Sequence, residues 1–376
     1  MTAEPTGDQL LFQTTTREFL DRTAPIAVIR ELADTATGFD RDWWRRGAEL
    51  GWTAMLAPEN LGGGSVSGRP LTELGLVATE FGHACAPGPL IPTSAVLSGL
   101  VAAGDRFAEV IGGIVAGDLI AAWALYEPRH GLELAPEQTR AEPDGEGYRL
   151  TGRKDRVEAG DTADVLLVTA HGPDGPIQLL VPTDTPGVTV TPTWTLDLVR
   201  RTARVDFDNV ALGPEAIVQT GESATAAIQS QLHIAAALTA AESTAATRRA
   251  FDATVEWMFD RYTFGRPLAS YQALKHRMAD NKTWLEACAA TSRAAAAALD
   301  ESPSTAAELV SVAKAYVSGK APVIVQDCVQ IHGGIGVTWE HDLHLFLRRV
   351  TLGRALYGTP EEHHRRITDL LVRSAA

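Results

Sequence analysis

The stretch ALYGTPEEHHRR, residues 355–366, holds one phenol, two adjacent carboxylates and two adjacent imidazoles. Such side chains can bind a metal ion or exchange protons with a substrate. Successive residues of a helix point about 100° apart, so the four residues from Glu361 to His364 cannot converge on one ion. Only Glu361 and His364 could share a helix face. The pattern is more typical of a helix that begins near Thr359, with Pro360 at its first position and acids in its first turn. We therefore expect no metal site here.

A second group of polar side chains lies in VQIHGGIGVTWEHDLHLFLRR, residues 329–349. The glycines at 333, 334 and 336 let a backbone approach a ligand closely, although a glycine run after a helix also marks an ordinary helix end. The segment lacks the preceding strand that a dinucleotide-binding βαβ unit requires. His341 and His344 do not have the spacing of a metal site and favour a solvated face.

A third candidate is RYTFGRPLASYQALKHRMAD, residues 261–280. It places Arg261 and a glycine at the end of one helix, then a turn with Pro267, then Gln272 at the start of the next helix. An arginine beside a helix start is suited to phosphate oxygens, because the guanidinium and the free backbone N–H groups both favour anions. A capped helix-turn-helix corner would have the same pattern, so both interpretations stay open.

The elements that must position these side chains follow the order helices, strands, helices. Apolar residues recur three and four apart from Asp8 to about Gly117, which predicts helices. From about Asp118 the chain has short segments that are rich in Val, Leu and Thr and separated by Gly, Pro and Asp, as in strands. The six predicted strand segments are LIAAWALYEP, GYRLTGRKDRVEAG, ADVLLVTA, IQLLVPTD, GVTVTPTW and ARVDFDNVAL. From about Glu222 long alanine-rich segments predict a packed helical bundle. The fold class is therefore α+β.

Composition excludes several classes of protein. The 376 residues are 45% hydrophobic, which supports a sizeable core, and the formal net charge of -14 argues against a nucleic-acid-binding surface. Cys85, Cys288 and Cys328 lie far apart, without metal-ligand spacing, and fit a reducing compartment. The N-terminus does not resemble a signal peptide, and no uncharged run is long enough to cross a bilayer. We expect a soluble, cytoplasmic protein that binds neither nucleic acid nor membrane.

Taken together and in order, several motifs resemble the acyl-CoA dehydrogenase family over nearly the whole chain. They are PENLGGG, YEP, LTGRK followed by AG and AD, R-x-x-F-G-x-P-L-x-x-Y-Q from Arg261, and Q-x-x-G-G-x-G from Gln330. The resemblance implies an N-terminal α-helical domain (1–117), a middle β-barrel-like domain (118–218) and a C-terminal four-helix bundle (219–376). It also implies non-covalent FAD and an oxidation that places a double bond between Cα and Cβ of an acyl-CoA.

The resemblance assigns roles to residues that this chain lends to a neighbouring subunit. In the family, the first C-terminal motif contacts the pyrophosphate and adenosine half of the neighbour's FAD, and the second motif serves the same end of the cofactor. These roles carry over to Arg261, Phe264, Gln272, Gln330, Gly333 and Gly334, all of which are present. Thr359 is a further candidate, as a contact to flavin-side groups.

Other positions depart from the family pattern. The family usually follows its TEP with a Gly-Ser pair that meets flavin and substrate, whereas this chain has YEPRHGLELAP, with Arg129 and His130 in that region. Where a tryptophan and a hydroxyl residue pack against the flavin ring, it has Arg156 and Glu158, two and four residues after Lys154. A flavin ring would lose an apolar wall and gain charges that need partners or water.

The catalytic base is missing as well. The reaction needs a carboxylate to remove a proton from Cα while hydride leaves Cβ. Alignment from Arg348 puts Tyr357 at the position of the family's usual glutamate, and a phenol with a pKa of about 10 is a poor base at neutral pH. The family's alternative position is Ala235 here. Glu242, two turns further along, is expected at the surface or between helices.

We therefore predict that no residue of this chain acts as the base. The chain is expected to be the non-catalytic subunit of an α2β2 acyl-CoA dehydrogenase, whose catalytic partner holds the flavin ring and the acyl-CoA. Actinobacterial enzymes that shorten steroid side chains resemble this arrangement, and electron-transferring flavoprotein is the family's usual electron acceptor. One alternative is an active homo-oligomer that uses Tyr357, Glu242 or Glu361 as the base. Another is a flavin-free scaffold derived from the family.

Overall fold

The structure of the protein, a computed structural model, describes residues 4–129, 131–132, 134–301 and 303–375. Helices, strands and again helices follow one another along these residues, so the predicted α+β class is confirmed. By contacts the chain divides into two compact units. The helical unit comprises the described parts of Met1–Arg30, Leu74–Ala86 and Ala236–Ala376, and the sheet unit comprises Glu31–Glu73 and Pro87–Ala235.

The N-terminal third forms short helices whose starts are set by capping side chains. In α1, Thr6 and Gln9 form a reciprocal capping box, and Asp40 accepts a hydrogen bond from the Trp43 N–H at the start of α3. The helices are α1 (Gly7–Thr23), α2 (Ile26–Ala33), α3 (Arg41–Glu49), α4 (Pro70–Ala84), α5 (Leu90–Ala103) and α6 (Ala108–Val115).

The middle of the chain forms one eight-stranded sheet. Seven strands lie in the order β6-β7-β3-β2-β4-β5-β8, and β1 pairs in parallel with β4. The strands are β1 (Ala121–Ala124), β2 (Arg140–Asp144), β3 (Gly147–Glu158), β4 (Val165–Gly172), β5 (Gly175–Pro182), β6 (Val188–Thr193), β7 (Thr202–Leu212) and β8 (Ile217–Thr220). Six of them match the predicted segments, whereas β2 and β8 were not predicted.

The pairing of β3 with β7 contains two bulges that compensate each other. Lys154 pairs with Val205 and Val157 with Ala203, so Asp155 and Arg156 together oppose a single residue of β7. Nearer the start of β3 the extra residue is on β7, between the Leu150 and Gly152 pairs. A bulge redirects side chains and increases local twist, which bears on the position of Arg156.

The C-terminal part is a bundle of long helices in which α9 packs against α8, α10 and α11. A short hairpin of β9 (Tyr262–Thr263) and β10 (Arg266–Pro267) connects α7 to α8. The helices are α7 (Gly221–Asp260), α8 (Gln272–Glu301), α9 (Pro303–His332), α10 (Leu343–Ala355) and α11 (Pro360–Ala375). The predicted helix start near Thr359, with Pro360 first, is confirmed.

Candidate functional site

The first candidate segment, at the end of α7, is an exposed hairpin. Phe264 and Gly265 form its two-residue loop, and both have positive φ angles, +50° and +78°. Two such residues are what a type I′ hairpin turn requires. The Phe264 side chain is 99% exposed, although a bulky residue in this left-handed region costs about 1 kcal/mol. The chain thus presents an aromatic ring to the outside at a conformational cost.

Charged groups surround this hairpin. The guanidinium of Arg261 lies 5.9 Å from the ring centre of Trp257, and that of Arg266 lies 4.0 Å from the ring centre of Tyr271. The Tyr271 hydroxyl donates a 2.8 Å hydrogen bond to the Thr263 carbonyl, which holds the hairpin against the start of α8. Gln272, the first residue of α8, is exposed. This end of α8 can therefore accept an anion.

The second segment follows α9 directly and is also open. Gln330, Gly333 and Gly334 are exposed, and Gly333 has φ +68°. A Cβ at Gly333 or Gly334 would meet nothing within 4 Å, whereas one at Gly336 would lie 2.7 Å from the Val329 carbonyl. Packing within the chain therefore requires glycine at 336 and leaves free space beside 333 and 334.

A stack of rings joins the two segments. Trp257, one turn before Arg261, lies on His332 with 5.0 Å between ring centroids and 15° between planes, and His332 immediately precedes Gly333. Burial and the neighbouring His341 lower the pKa of His332, although its bond to the Cys328 carbonyl opposes the shift. A neutral imidazole is thus favoured in the stack. The structure thereby brings the Arg261 and Gln330 segments together.

His341 and His344, expected on a solvated face, are only partly exposed. Both are half-buried: His341 meets His332 edge-on at 4.7 Å, and His344 stacks on Trp339 at 4.8 Å. In the described residues no three His, Cys, Asp or Glu side chains lie close enough together to hold a metal ion.

Tyr357, at the position expected for the base, sits in a tightly held turn between α10 and α11. The residue is buried and has φ +55°, and Gly358 follows with φ +100°. His363 Nε2 lies 2.9 Å from the Tyr357 carbonyl, so that nitrogen carries the hydrogen. The fully buried ammonium of Lys314 donates to the carbonyls of Gly358 and Gly353, at 2.7 and 2.9 Å.

Sequence reasoning missed Lys314, which also donates to the Ser318 hydroxyl at 3.0 Å. Its signal in the sequence is a single cation inside the apolar run SVAKAYV of α9. Thr359 is half-buried, and its hydroxyl accepts from the Glu362 N–H at 3.3 Å while the Glu362 carboxylate accepts from the Thr359 N–H at 2.7 Å. The Thr359 side chain therefore acts as the cap of α11.

The other acids considered as bases are already paired. Glu242 lies between helices rather than at the surface, because it is buried and accepts a 2.9 Å hydrogen bond from Arg349 of α10. Arg349 also donates to two carbonyls at the end of α4. Glu361 is exposed and pairs with Arg354 at 3.0 Å. Ala235 is buried and carries no ionisable group.

In the sheet unit, the charged residues at the positions where flavin contacts are expected have partners of their own. The Arg156 guanidinium lies 4.5 Å from the ring centre of Tyr126 and donates a 3.4 Å bond to the Glu127 carbonyl. Glu158 accepts from Arg200 Nε at 2.7 Å, and both side chains are at least 95% buried. Arg129 has φ +63°, and His130 lies outside the described residues.

A buried pair anchors the YEP segment. Lys154 donates to the Leu125 carbonyl at 3.0 Å and to Glu127 at 3.3 Å. Burial would raise the pKa of Glu127, but Lys154 and three backbone N–H groups lower it to about 2. Burial lowers the pKa of Lys154 to about 8, although Glu127 opposes the shift. Both groups are therefore charged at neutral pH.

None of the helices in the described part of the chain combines the length and the apolar composition needed to cross a bilayer.

Comparison with known proteins covers almost the full length. Models of the N-terminal, middle and C-terminal domains of acyl-CoA dehydrogenase match residues 6–106, 122–210 and 225–371. Acyl-CoA dehydrogenase IpdE2 of Mycobacterium tuberculosis is 31% identical over 365 residues, which are 96% of this chain and 97% of that protein. The three-domain fold predicted from the sequence is thereby confirmed.

Two solved structures are similar over the same extent. A variant of the Tcur3481-Tcur3483 steroid ACAD has a TM-score of 0.88 and 28% identity, with 98% of each chain covered. A structure of the ChsE4-ChsE5 complex from Mycobacterium tuberculosis has a TM-score of 0.89 and 25% identity, with 99% of each chain covered.

Proposed function

Because the chain belongs to the acyl-CoA dehydrogenase family, a family of oxidoreductases acting on CH–CH groups, we propose that it is the base-lacking subunit of an α2β2 enzyme. A catalytic partner of the same family binds the acyl-CoA and provides the carboxylate. This chain lends that partner contacts to the pyrophosphate and adenosine half of FAD. We place the assembly in the cytoplasm.

The observation that carries the proposal is the state of the base position. Tyr357 is buried there, and its turn is fixed by His363 and Lys314. The carboxylates of Glu242 and Glu361 are held by Arg349 and Arg354. A general base must reach the proton it removes with its acceptor available. Glu242 and Glu361 are engaged in ion pairs, and Tyr357 has a phenol where the reaction needs a carboxylate, so the proposal assigns the base to the partner.

The exposed segments support the role in trans. FAD, when bound, supplies the acceptor for the hydride that leaves Cβ. Arg261 and the first turn of α8 offer positive charge and N–H groups to the pyrophosphate, and Phe264 offers a flat apolar surface to the adenosine. Gly333 and Gly334 leave their backbone open to the same group. The residues at the start of α8 and after α9 therefore fit the pyrophosphate and adenosine half of FAD.

The similar proteins support a partner subunit and suggest a class of substrate. One is named as a complex of two chains and the other as a steroid enzyme. We therefore propose a bulky steroid acyl-CoA as the substrate of the assembly, and electron-transferring flavoprotein as its electron acceptor.

Expression with and without a second family member that carries the missing glutamate tests the proposal. We expect the chain alone to lack stoichiometric FAD and to reduce no dye with acyl-CoA, and the co-expressed pair to do both. Stoichiometric FAD together with substrate-dependent dye reduction by the isolated chain would contradict it.

The active homo-oligomer is the competing function, and Tyr357 is its remaining candidate base. Proton exchange at Cα of a bound acyl-CoA, measured by NMR in deuterated water, separates the two. Exchange that is catalysed by the isolated chain and lost in Tyr357→Phe would favour the homo-oligomer. A flavin-free scaffold would instead be supported if Phe264→Ala left the FAD content of the co-expressed pair unchanged.

A further inference from the structure

The resemblance to the family implies a flavin ring beside Arg156 and Glu158, and both of these side chains contact other residues of this chain. Tyr126 is 6% exposed, and one face of its ring is covered by the Arg156 guanidinium at 4.5 Å. A guanidinium stacks on an aromatic face in the same way that a planar heterocycle would. A flavin ring that packed against this face of Tyr126 would have to displace Arg156.

The backbone directs Arg156 to this place. The residue belongs to the bulge of β3, has φ +50°, and its N–H donates to the carboxylate of Asp155 at 2.9 Å. Ala159, three residues on, has φ +57° and donates to the Arg201 carbonyl at 2.9 Å. Two non-glycine residues with positive φ in four positions mark a strained turn, which persists only when its surroundings fix it.

Arg200 holds the Glu158 carboxylate through a hydrogen bond from its Nε. Asp197 accepts hydrogen bonds from the N–H groups of Val199 and Arg200, both at 3.0 Å, so the loop that presents the arginine is itself ordered. The cavity beside the pair, which Asp161 and Arg201 also line, has a volume of about 10 Å³. That is room for about one water molecule beside the buried pair.

We infer that Arg156, Glu158 and Arg200 close this chain's own place for a flavin ring, so that these three residues decide which subunit of the assembly carries the ring. The inference rests on the proposed function, in which the partner's place is open. On this inference, a flavin ring is kept out by the contacts that Arg156, Glu158 and Arg200 make, and not by the loss of a single flavin-contacting side chain.

Two probes separate the two halves of the cofactor. FMN carries the ring without the adenosine half, and ADP carries the adenosine half without the ring. The full-length chain is titrated with FMN by fluorescence quenching and with ADP by calorimetry. The main variant combines Arg156→Trp, Glu158→Thr and Arg200→Met, because replacing only one member of a buried ion pair would leave the other charge unpaired.

We expect the triple variant to bind FMN at least tenfold more tightly than the wild-type chain. Arg156→Ala alone, which leaves the buried pair intact, is expected to improve binding about threefold. If the triple variant fails to fold, the FMN affinity of Arg156→Ala is the deciding measurement. Arg153→Ala is the matched control, since Arg153 lies on the same strand, is half-exposed and pairs with Asp206. Its FMN affinity should be unchanged.

The inference is overturned if the wild-type chain binds FMN as tightly as the variants. It is also overturned if folded Arg156→Ala and triple variants gain no affinity. The ADP titration concerns only the proposed function: loss of ADP binding in Arg261→Ala supports that function. Equal ADP affinity of the wild-type chain and Arg261→Ala contradicts it and leaves the FMN comparison valid.

Discussion

Phe264 presents its ring to the outside of the chain from a backbone in an unfavourable conformation. Its ring is 99% exposed and its backbone lies in the left-handed region. We predict that Phe264→Ala changes the free energy of unfolding of the isolated chain by less than about 0.5 kcal/mol, because no packing is lost.

The same substitution should lower the FAD content of the co-expressed pair at least tenfold, as measured by absorbance of the released flavin. Trp194→Ala is the control, because Trp194 is 85% exposed but lies in the sheet unit. A loss of flavin of equal size in both variants would argue against a specific role for Phe264.

The pairing of Glu127 with the buried Lys154 makes the free energy of unfolding depend on pH. The pKa of Glu127 is about 2 in the folded chain and 4.5 ordinarily, so its stabilising contribution is complete above pH 4.5 and is lost as pH falls towards 2. We predict that Glu127→Gln lowers the free energy of unfolding by about 3 kcal/mol at pH 7, because Lys154 remains buried without its carboxylate.

Urea unfolding across this pH range measures the effect, and the difference from wild type should shrink as pH falls from 4.5 to 2. Glu142→Gln serves as control, since Glu142 is exposed on β2. A constant difference at all pH values would show that the charge of Glu127 is not its cause.

At the scale of elements, Lys314 links α9 to the turn that carries Tyr357. Its ammonium serves two carbonyls and a hydroxyl, all within 3.0 Å. We predict that Lys314→Met lowers the free energy of unfolding by about 3 kcal/mol, since several buried acceptors lose their donor.

Faster amide hydrogen exchange should appear first in residues 356–363, which places the effect at the turn. Lys320→Met is the matched control on the same helix, where the lysine lies over the Trp284 ring at 4.1 Å. Unchanged exchange in residues 356–363 of Lys314→Met would contradict the role of Lys314 in holding this turn.

At the scale of the whole molecule, six of the eleven large apolar side chains that are exposed in the described part of the helical unit lie in two segments. Phe259, Tyr262 and Phe264 precede α8, and Ile335, Val337 and Trp339 follow α9. We predict that binding of the partner subunit slows amide hydrogen exchange in residues 259–277 and 330–339. Residues 140–146, an exposed hairpin of the sheet unit, are the internal control. Equal slowing of all three segments would indicate general tightening and not a specific interface.

The order of elements could be predicted because hydrophobic period and helix caps are local properties. The start of α11 follows from Thr359, Pro360 and Glu362, which lie within four residues. β2 was missed because RAEPD is short and polar and has its place only through pairing with β3. Glu158 pairs with Arg200, which lies 42 positions later in the chain, and Lys314 donates to the carbonyl of Gly358, which lies 44 positions later. Such partners depend on topology, which no local pattern encodes.

The bulge in β3 also limits how this chain could change by mutation. Lys154 and Val157 are three positions apart, so in an unbroken strand with its two-residue repeat they would face opposite sides of the sheet, and the bulge shifts that phase by one residue. Deletion of Asp155 or Arg156 would turn Val157 and Glu158 to opposite sides, so that a buried valine and a buried carboxylate would exchange surroundings. Point substitutions leave that phase intact. A descendant of this chain could therefore exchange the charges at 156, 158 and 200 one codon at a time, whereas a lineage that lost a single codon here would lose the strand.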